Sequence, residues 1–167
     1  MIFVTIGNEQ RYKFTRLLRK MDELAPEISE EIVMQIGFDS YRPDHSKYFS
    51  FVPHEEYLDL FKKSKLVISH CATGPIIYAK KFNKPIILFP RRAELGEHVD
   101  NHQIETAHSV EGIKGIQVVY HEDELKEAII ALINTGEISK ESRGPRDTGI
   151  IDTIKEFLWR IEMRKKK

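Results

Sequence analysis

The chain has 167 residues, and its 26 Lys and Arg balance 26 Asp and Glu, so the formal charge is zero. The strong positive field of a nucleic-acid binder is therefore absent. Charged residues make up 31% and hydrophobic residues 41%, which suits one core under a charged surface and excludes both a disordered chain and a large multidomain enzyme. The single cysteine, Cys71, rules out an internal disulfide and a four-thiolate zinc site within one chain, and fits a reducing compartment. Met1-Ile2-Phe3-Val4 has no basic leader, and apolar runs such as Pro85 to Pro90 fall far short of the roughly 20 residues that span a bilayer. The expectation is a cytoplasmic protein that reaches a membrane only through a partner.

In chain order, short β-branched runs predict strands at Ile2 to Ile6, Ile32 to Ile36, Tyr48 to Phe51, Leu66 to Ser69, Pro85 to Phe89 and Ile116 to Tyr120. Between them, Phe14, Leu17, Leu18, Met21 and Leu24 recur at helical spacing, as do Leu125, Ala128, Ile129, Leu132 and Ile133. A further helix is expected to start near Pro53, with Glu55 and Glu56 complementing the dipole of its first turn. Strands alternating with helices predict an α/β fold, a Rossmann-like three-layer α/β/α domain on a mainly parallel six-strand sheet. One domain is expected over residues 1–167.

Residues Thr135 to Asp147 read as a loop, and residues 148–167 as a C-terminal amphipathic helix with a basic tail. Ile150, Ile151, Ile154, Phe157, Leu158 and Ile161 form its apolar face, and Arg164-Lys165-Lys166-Lys167 ends it. That face packs on the domain or docks a partner or an anionic membrane surface.

Ligands of open parallel sheets bind beyond the carboxyl ends of the strands, so the turns there are the candidates for chemistry. The first strand leads into Gly7-Asn8. The fourth leads into His70-Cys71-Ala72-Thr73-Gly74-Pro75, where the unpaired amides of a helix N-terminus suit a phosphate. The fifth leads into Arg91-Arg92 and then Glu97-His98-Val99-Asp100-Asn101-His102-Gln103. Carboxylates and amides recognise vicinal diols and arginines recognise phosphate oxygens, so this density fits a phosphorylated, hydroxyl-rich ligand. A zinc site is the rival reading: His98 and His102 would share a helix face, with Asp100, His70 or Cys71 completing the ligand set. The order of residues is not H-E-x-x-H, which weighs against a hydrolase.

Val4-Thr5-Ile6-Gly7, Leu66-Val67-Ile68-Ser69-His70, Lys84-Pro85-Ile86-Ile87, Pro90-Arg91-Arg92 and above all Gly96 to Gln103 resemble the glycosyltransferase family 28 C-terminal domain. The likeness is to its small stand-alone members of the dolichol pathway and of bacterial exopolysaccharide assembly. It implies one half of a GT-B enzyme that takes a nucleoside-diphosphate sugar, usually a UDP-sugar, and transfers the sugar with inversion and no obligatory metal or other cofactor. By the same resemblance, Gly7, Asn8, Thr73 and Gly74 receive the diphosphate, with His70 beside them. Glu97 and His98 hold the sugar hydroxyls as catalytic residues, Asn101 and Gln103 support that loop or touch the sugar as donor-binding residues, and Arg91 and Arg92 neutralise the leaving group. Glu97→Ala is then expected to harm donor binding and leave stability nearly unchanged.

The chain departs from the family pattern at Ala72, where a glycine is usual, at Pro75, where a serine is common, and at Tyr78, where many relatives grip the ribose with a glutamate. These changes favour a second reading, a non-catalytic nucleotide-sugar-binding or assembly protein. One Rossmann-like unit is half of a GT-B enzyme. The resemblance therefore implies a membrane-anchored, acceptor-binding partner subunit, with homodimerisation as the competing use of the terminal helix.

Overall fold

The computed structural model describes residues 1–135, so the expected loop beyond Thr135 and the helix at 148–167 lie outside the described residues. Six strands, β1 (Ile2–Thr5), β2 (Ile32–Gln35), β3 (Lys47–Phe49), β4 (Leu66–Ser69), β5 (Ile86–Leu88) and β6 (Ile116–Val118), are interleaved with five α-helices among the described residues, except that a loop alone joins β2 to β3. The helices are α1 (Thr15–Leu24), α2 (His54–Lys63), α3 (Thr73–Lys81), α4 (His102–Val110) and α5 (Leu125–Thr135). All six expected strands are present. Five of the expectations run one or two residues past the end of the ladder, because the apolar run continues while the chain is already turning toward the next helix.

The sheet has the order β3-β2-β1-β4-β5-β6, and every neighbouring pair is parallel. Ile2 of β1 lies opposite Ile32 of β2 and Leu66 of β4. Side chains alternate between the two faces of the pleat. Ile2 and Val4 pack with Phe14, Leu17, Leu18 and Met21 of the α1 region and with Leu125, Ile129 and Leu132 of α5. Phe3, Val67, Ile86 and Leu88 pack instead with Phe61 of α2, Ile76 and Ala79 of α3, and Ala107 and Val110 of α4. Helices thus cover both faces, which is why β1 and β4 are apolar at nearly every position and fully buried. The edge strand β3 is three residues long and exposes Lys47 and Tyr48, features that discourage pairing with another sheet.

Two helix starts differ from simple local rules. The α1 helix has no side-chain cap from its own first turn. Asp39, from the loop after β2, supplies it: Oδ2 accepts the Phe14 N–H at 2.8 Å and Oδ1 accepts the Thr15 hydroxyl at 2.9 Å. Pro53 sits at the N-cap of α2, just before the helix rather than within it, with Glu55 and Glu56 in the first turn as expected. Among the described residues, no helix is long and apolar enough to cross a membrane.

The chain leaves β1 toward the α1 face and leaves β4 toward the α3 face. Adjacent strands whose connections diverge open a crevice between them at the carboxyl edge, and that is where this fold places ligands.

Candidate functional site

Gly7 and His70 pack against each other at that edge. Gly7 has φ +75°, and a Cβ on it would lie 2.8 Å from His70 Cε1. The loop is held from the other side as well. Gln35 Nε2 donates to the Gly7 carbonyl at 2.9 Å and to the Ser50 carbonyl at 3.1 Å, while its Oε1 accepts the Thr5 hydroxyl at 2.7 Å. Gly37, with φ +54°, passes so close that a Cβ would stand 2.7 Å from the Gly7 carbonyl oxygen. Asn8 follows with an exposed side chain. His70 Nδ1 is 3.2 Å from the Ser69 hydroxyl, and burial, helped by the charge of Arg91, pushes its pKa down to about 3. The imidazole is neutral at physiological pH and acts as a hydrogen-bonding wall rather than a cation.

After β4, Ala72 caps α3 with no side-chain hydrogen bond, and Thr73 and Gly74 begin the helix. The first amides of a helix have no partner within it. Pro75 carries no amide hydrogen, so Thr73 and Gly74 are the donors this terminus offers. Gly74 is exposed, and a Cβ there would meet nothing within 4 Å. The neighbouring Cys71 is buried, and its thiol is pushed up to about 12 by that burial. It is neither a nucleophile nor a ready metal ligand.

The loop after β5 is built mainly by its own polar side chains. Arg91 is 1% exposed. Its Nη1 donates to the carbonyls of Tyr12, Lys13 and Glu97 at 3.1 to 3.2 Å, its Nη2 donates to the Ile6 carbonyl at 2.9 Å, and its guanidinium lies 4.5 Å over the Phe14 ring. Burial lowers its pKa to about 10, so it stays charged. Gln103 Oε1 accepts the backbone N–H groups of Cys71 at 3.2 Å and Arg91 at 3.1 Å, which ties the β4 and β5 loops together. Glu97 is also buried. Its carboxylate takes Nε and Nη2 of Arg16 at 2.7 and 2.9 Å and the Arg92 N–H at 3.0 Å. The Arg92 guanidinium donates to the Tyr120 carbonyl, and Asn101 Oδ1 accepts the Ala93 N–H at 3.0 Å.

The structure thus gathers all three loops at one edge and divides the expected residues into two groups. Arg91, Arg92, Glu97, Asn101 and Gln103 hold the loops in place. Asn8, Thr73, Gly74 and His98 are exposed or half-buried at the rim. His98 stacks on Tyr12 with ring centroids 5.9 Å apart and approaches Asp100, whose Oδ1 is 3.2 Å from His98 Nδ1. His98 and His102 do not share a helix face as the zinc reading supposed, since α4 begins at His102 and His98 lies in the loop before it.

Residues 1–154 match the glycosyltransferase family 28 C-terminal domain. The chain belongs to that family. No curated protein matches the chain. The fold is similar to the glycotransferase of kitacinnamycin, with TM-score 0.57 and 13% identity over 93% of this chain and 37% of that one. It is also similar to the NMR solution structure of ALG13, with TM-score 0.57 and 19% identity over 94% of each chain. The chain therefore spans well under half of the first of these and nearly all of the second, and both likenesses concern the fold.

Tyr78 is the position at which the resemblance leads to the expectation of a ribose-binding glutamate. Its ring packs against Phe61 at 5.6 Å, His54 at 5.9 Å and Tyr57 at 6.1 Å, so the aromatic seam between α2 and α3 accounts for its presence. Sequence reasoning missed Arg16, Gln35 and Tyr12. A lone arginine on an amphipathic helix reads as solvent-facing, and a glutamine ending a strand carries no motif. Their roles follow only from contacts 15 to 86 residues away in sequence.

Proposed function

We propose that this chain is the donor-binding half of a two-component inverting glycosyltransferase that uses a nucleoside-diphosphate sugar, with a UDP-sugar as the first candidate. The observation that carries this reading is the meeting of three loops at the carboxyl edge of the sheet, where Gly7, neutral His70 and the N-terminus of α3 are joined to the β5 loop by Gln103 and Arg91.

The diphosphate takes the amides of Thr73 and Gly74, whose helix end carries partial positive charge. Arg91, held behind the loop by backbone carbonyls and, among the described residues, in no ion pair, adds a fixed positive field as negative charge develops on the leaving diphosphate. His98, with Asn8, faces the sugar and its hydroxyls. In the transfer, an acceptor hydroxyl oxygen forms the new bond to the anomeric carbon as the bond to the diphosphate oxygen breaks. The diphosphate leaves with the electron pair, and the hydroxyl proton passes to a base. That base and the acceptor pocket belong to a partner subunit, membrane-anchored and presenting a lipid-linked or polysaccharide acceptor. This partner holds the protein at the cytoplasmic membrane surface.

Titration with UDP-, GDP- and dTDP-sugars tests this, with the partner present. Saturable binding of one donor that Gly74→Val weakens is the expected result. No binding of any donor defeats the reading.

The pairing of Glu97 with Arg16 favours a second reading, a nucleotide-sugar-binding protein without transfer activity, because a carboxylate already gripped by a guanidinium is a poor partner for sugar hydroxyls. Donor binding with no release of nucleoside diphosphate in the assembled complex supports that alternative.

A further inference from the structure

We propose that His98, Asp100 and His102 form a binding site for a first-row transition-metal dication of the zinc class, on the outer edge of the β5 loop. Each of the three offers one ligand atom, and these atoms all lie within 4.8 Å of one another. Asp100 Oδ1 stands between the two rings, 2.6 Å from His102 Nδ1 and 3.2 Å from His98 Nδ1. In a tetrahedral zinc site with bonds of about 2.0–2.1 Å, ligand atoms are separated by roughly 3.3 Å. The separations in this cluster, from 2.6 Å up to at most 4.8 Å, bracket that value.

The site is part fixed and part open. The His98 side chain is 16% exposed, stacked on Tyr12 and set edge-on to His102 with ring centroids 4.5 Å apart. Asp100 and His102 are more than half exposed, so an ion reaches them from solvent. The backbone between them is held by the Asn101 and Ala93 hydrogen bond and by Asp100 Oδ1 accepting the His102 N–H at 3.1 Å.

Two imidazoles and one carboxylate select zinc, cobalt or nickel over magnesium or calcium, which prefer all-oxygen shells. Three protein ligands leave a further position for water or another oxygen ligand. Cys71, with its buried neutral thiol, and His70, packed against Gly7, are not part of this cluster. The site shares His98 with the donor site proposed above, so its variants are made at Asp100 and His102, which that reading does not use.

The experiment titrates the full, chelator-treated chain with Zn2+ and with Co2+, following cobalt by its visible spectrum and zinc by calorimetry. One saturable equivalent is expected. Magnesium in excess should not displace it, and His102→Gln and Asp100→Asn should each weaken it by more than about tenfold. Thermal melting of both variants separates lost ligation from lost folding. If His102→Gln fails to fold, Asp100→Asn decides. No saturable binding overturns the proposal, and so does unchanged affinity in the folded variants. Donor titration in the presence of chelator reports on the proposed function alone, so the two ideas fail separately.

Discussion

Arg16 closes on Glu97 in a two-pronged pair, Nε to Oε1 at 2.7 Å and Nη2 to Oε2 at 2.9 Å, joining the first turn of α1 to a loop 81 residues later. The two side chains are 14% and 7% exposed, and the Arg16 guanidinium also lies 4.3 Å over the Phe89 ring. Truncating one partner leaves a largely buried charge unpaired, and Glu97 also accepts the Arg92 N–H. Glu97→Ala is therefore expected to destabilise the fold by about 1–3 kcal/mol, a melting-temperature drop of several degrees. This reverses the expectation from sequence that stability would be nearly unchanged. Arg16→Ala should behave similarly, and the double variant should lose less than the sum. Thermal denaturation of the three proteins checks this, and additive losses would show the pair to be uncoupled.

Gln103 uses one oxygen for two buried N–H groups, those of Cys71 and Arg91. Gln103→Leu keeps the bulk and removes the acceptor. Each orphaned amide costs about 1–3 kcal/mol, so a strong loss of stability is expected. Gln103→Glu restores an acceptor oxygen and should recover part of it. Amide hydrogen exchange gives the local readout: the Cys71 and Arg91 protons should exchange faster in the leucine variant. Unchanged exchange at both would mean that the loops are joined by something else.

Cys71 is 1% exposed, and its thiol pKa is pushed up to about 12 by burial. Only the thiolate reacts readily with disulfide reagents. At pH 8 the native protein should label slowly with Ellman's reagent, and in denaturant it should label to one equivalent. Fast labelling of the folded chain would contradict the buried, neutral thiol.

The sheet was legible because strands buried on both faces must be apolar throughout, and Leu66 to Ser69 shows this without ambiguity. The loops were legible as places, since a glycine at positive φ and polar density mark strand ends, as at Gly7 and at Gly96 to Gln103. Their side-chain roles were less visible. Composition suggests that Arg91 and Glu97 face a ligand, yet both turn inward, because a loop of this length leaves backbone groups that need partners and these side chains supply them. Asp39 illustrates the same limit. Nothing in its neighbourhood announces that it caps a helix beginning 24 residues earlier.

His70 gives the fold a pH dependence whose sign is fixed. Its pKa falls from 6.5 to about 3 on folding, through burial first and the Arg91 charge second. Between those values the unfolded chain binds a proton at this position and the folded chain does not, so stability declines as pH drops from about 6.5 toward 3. Carboxylates held below their usual range, such as Asp22 with the backbone N–H groups of Asp44 and His45, add their own losses at the acid end. The comparison that isolates the histidine is His70→Gln, which cannot titrate. Urea midpoints measured from pH 7.5 to 4.5 should fall more steeply for the natural chain than for the variant, with the two curves diverging below about pH 6.5. Parallel curves would mean that His70 takes up its proton in the folded protein, and the neutral wall beside Gly7 would be lost with it.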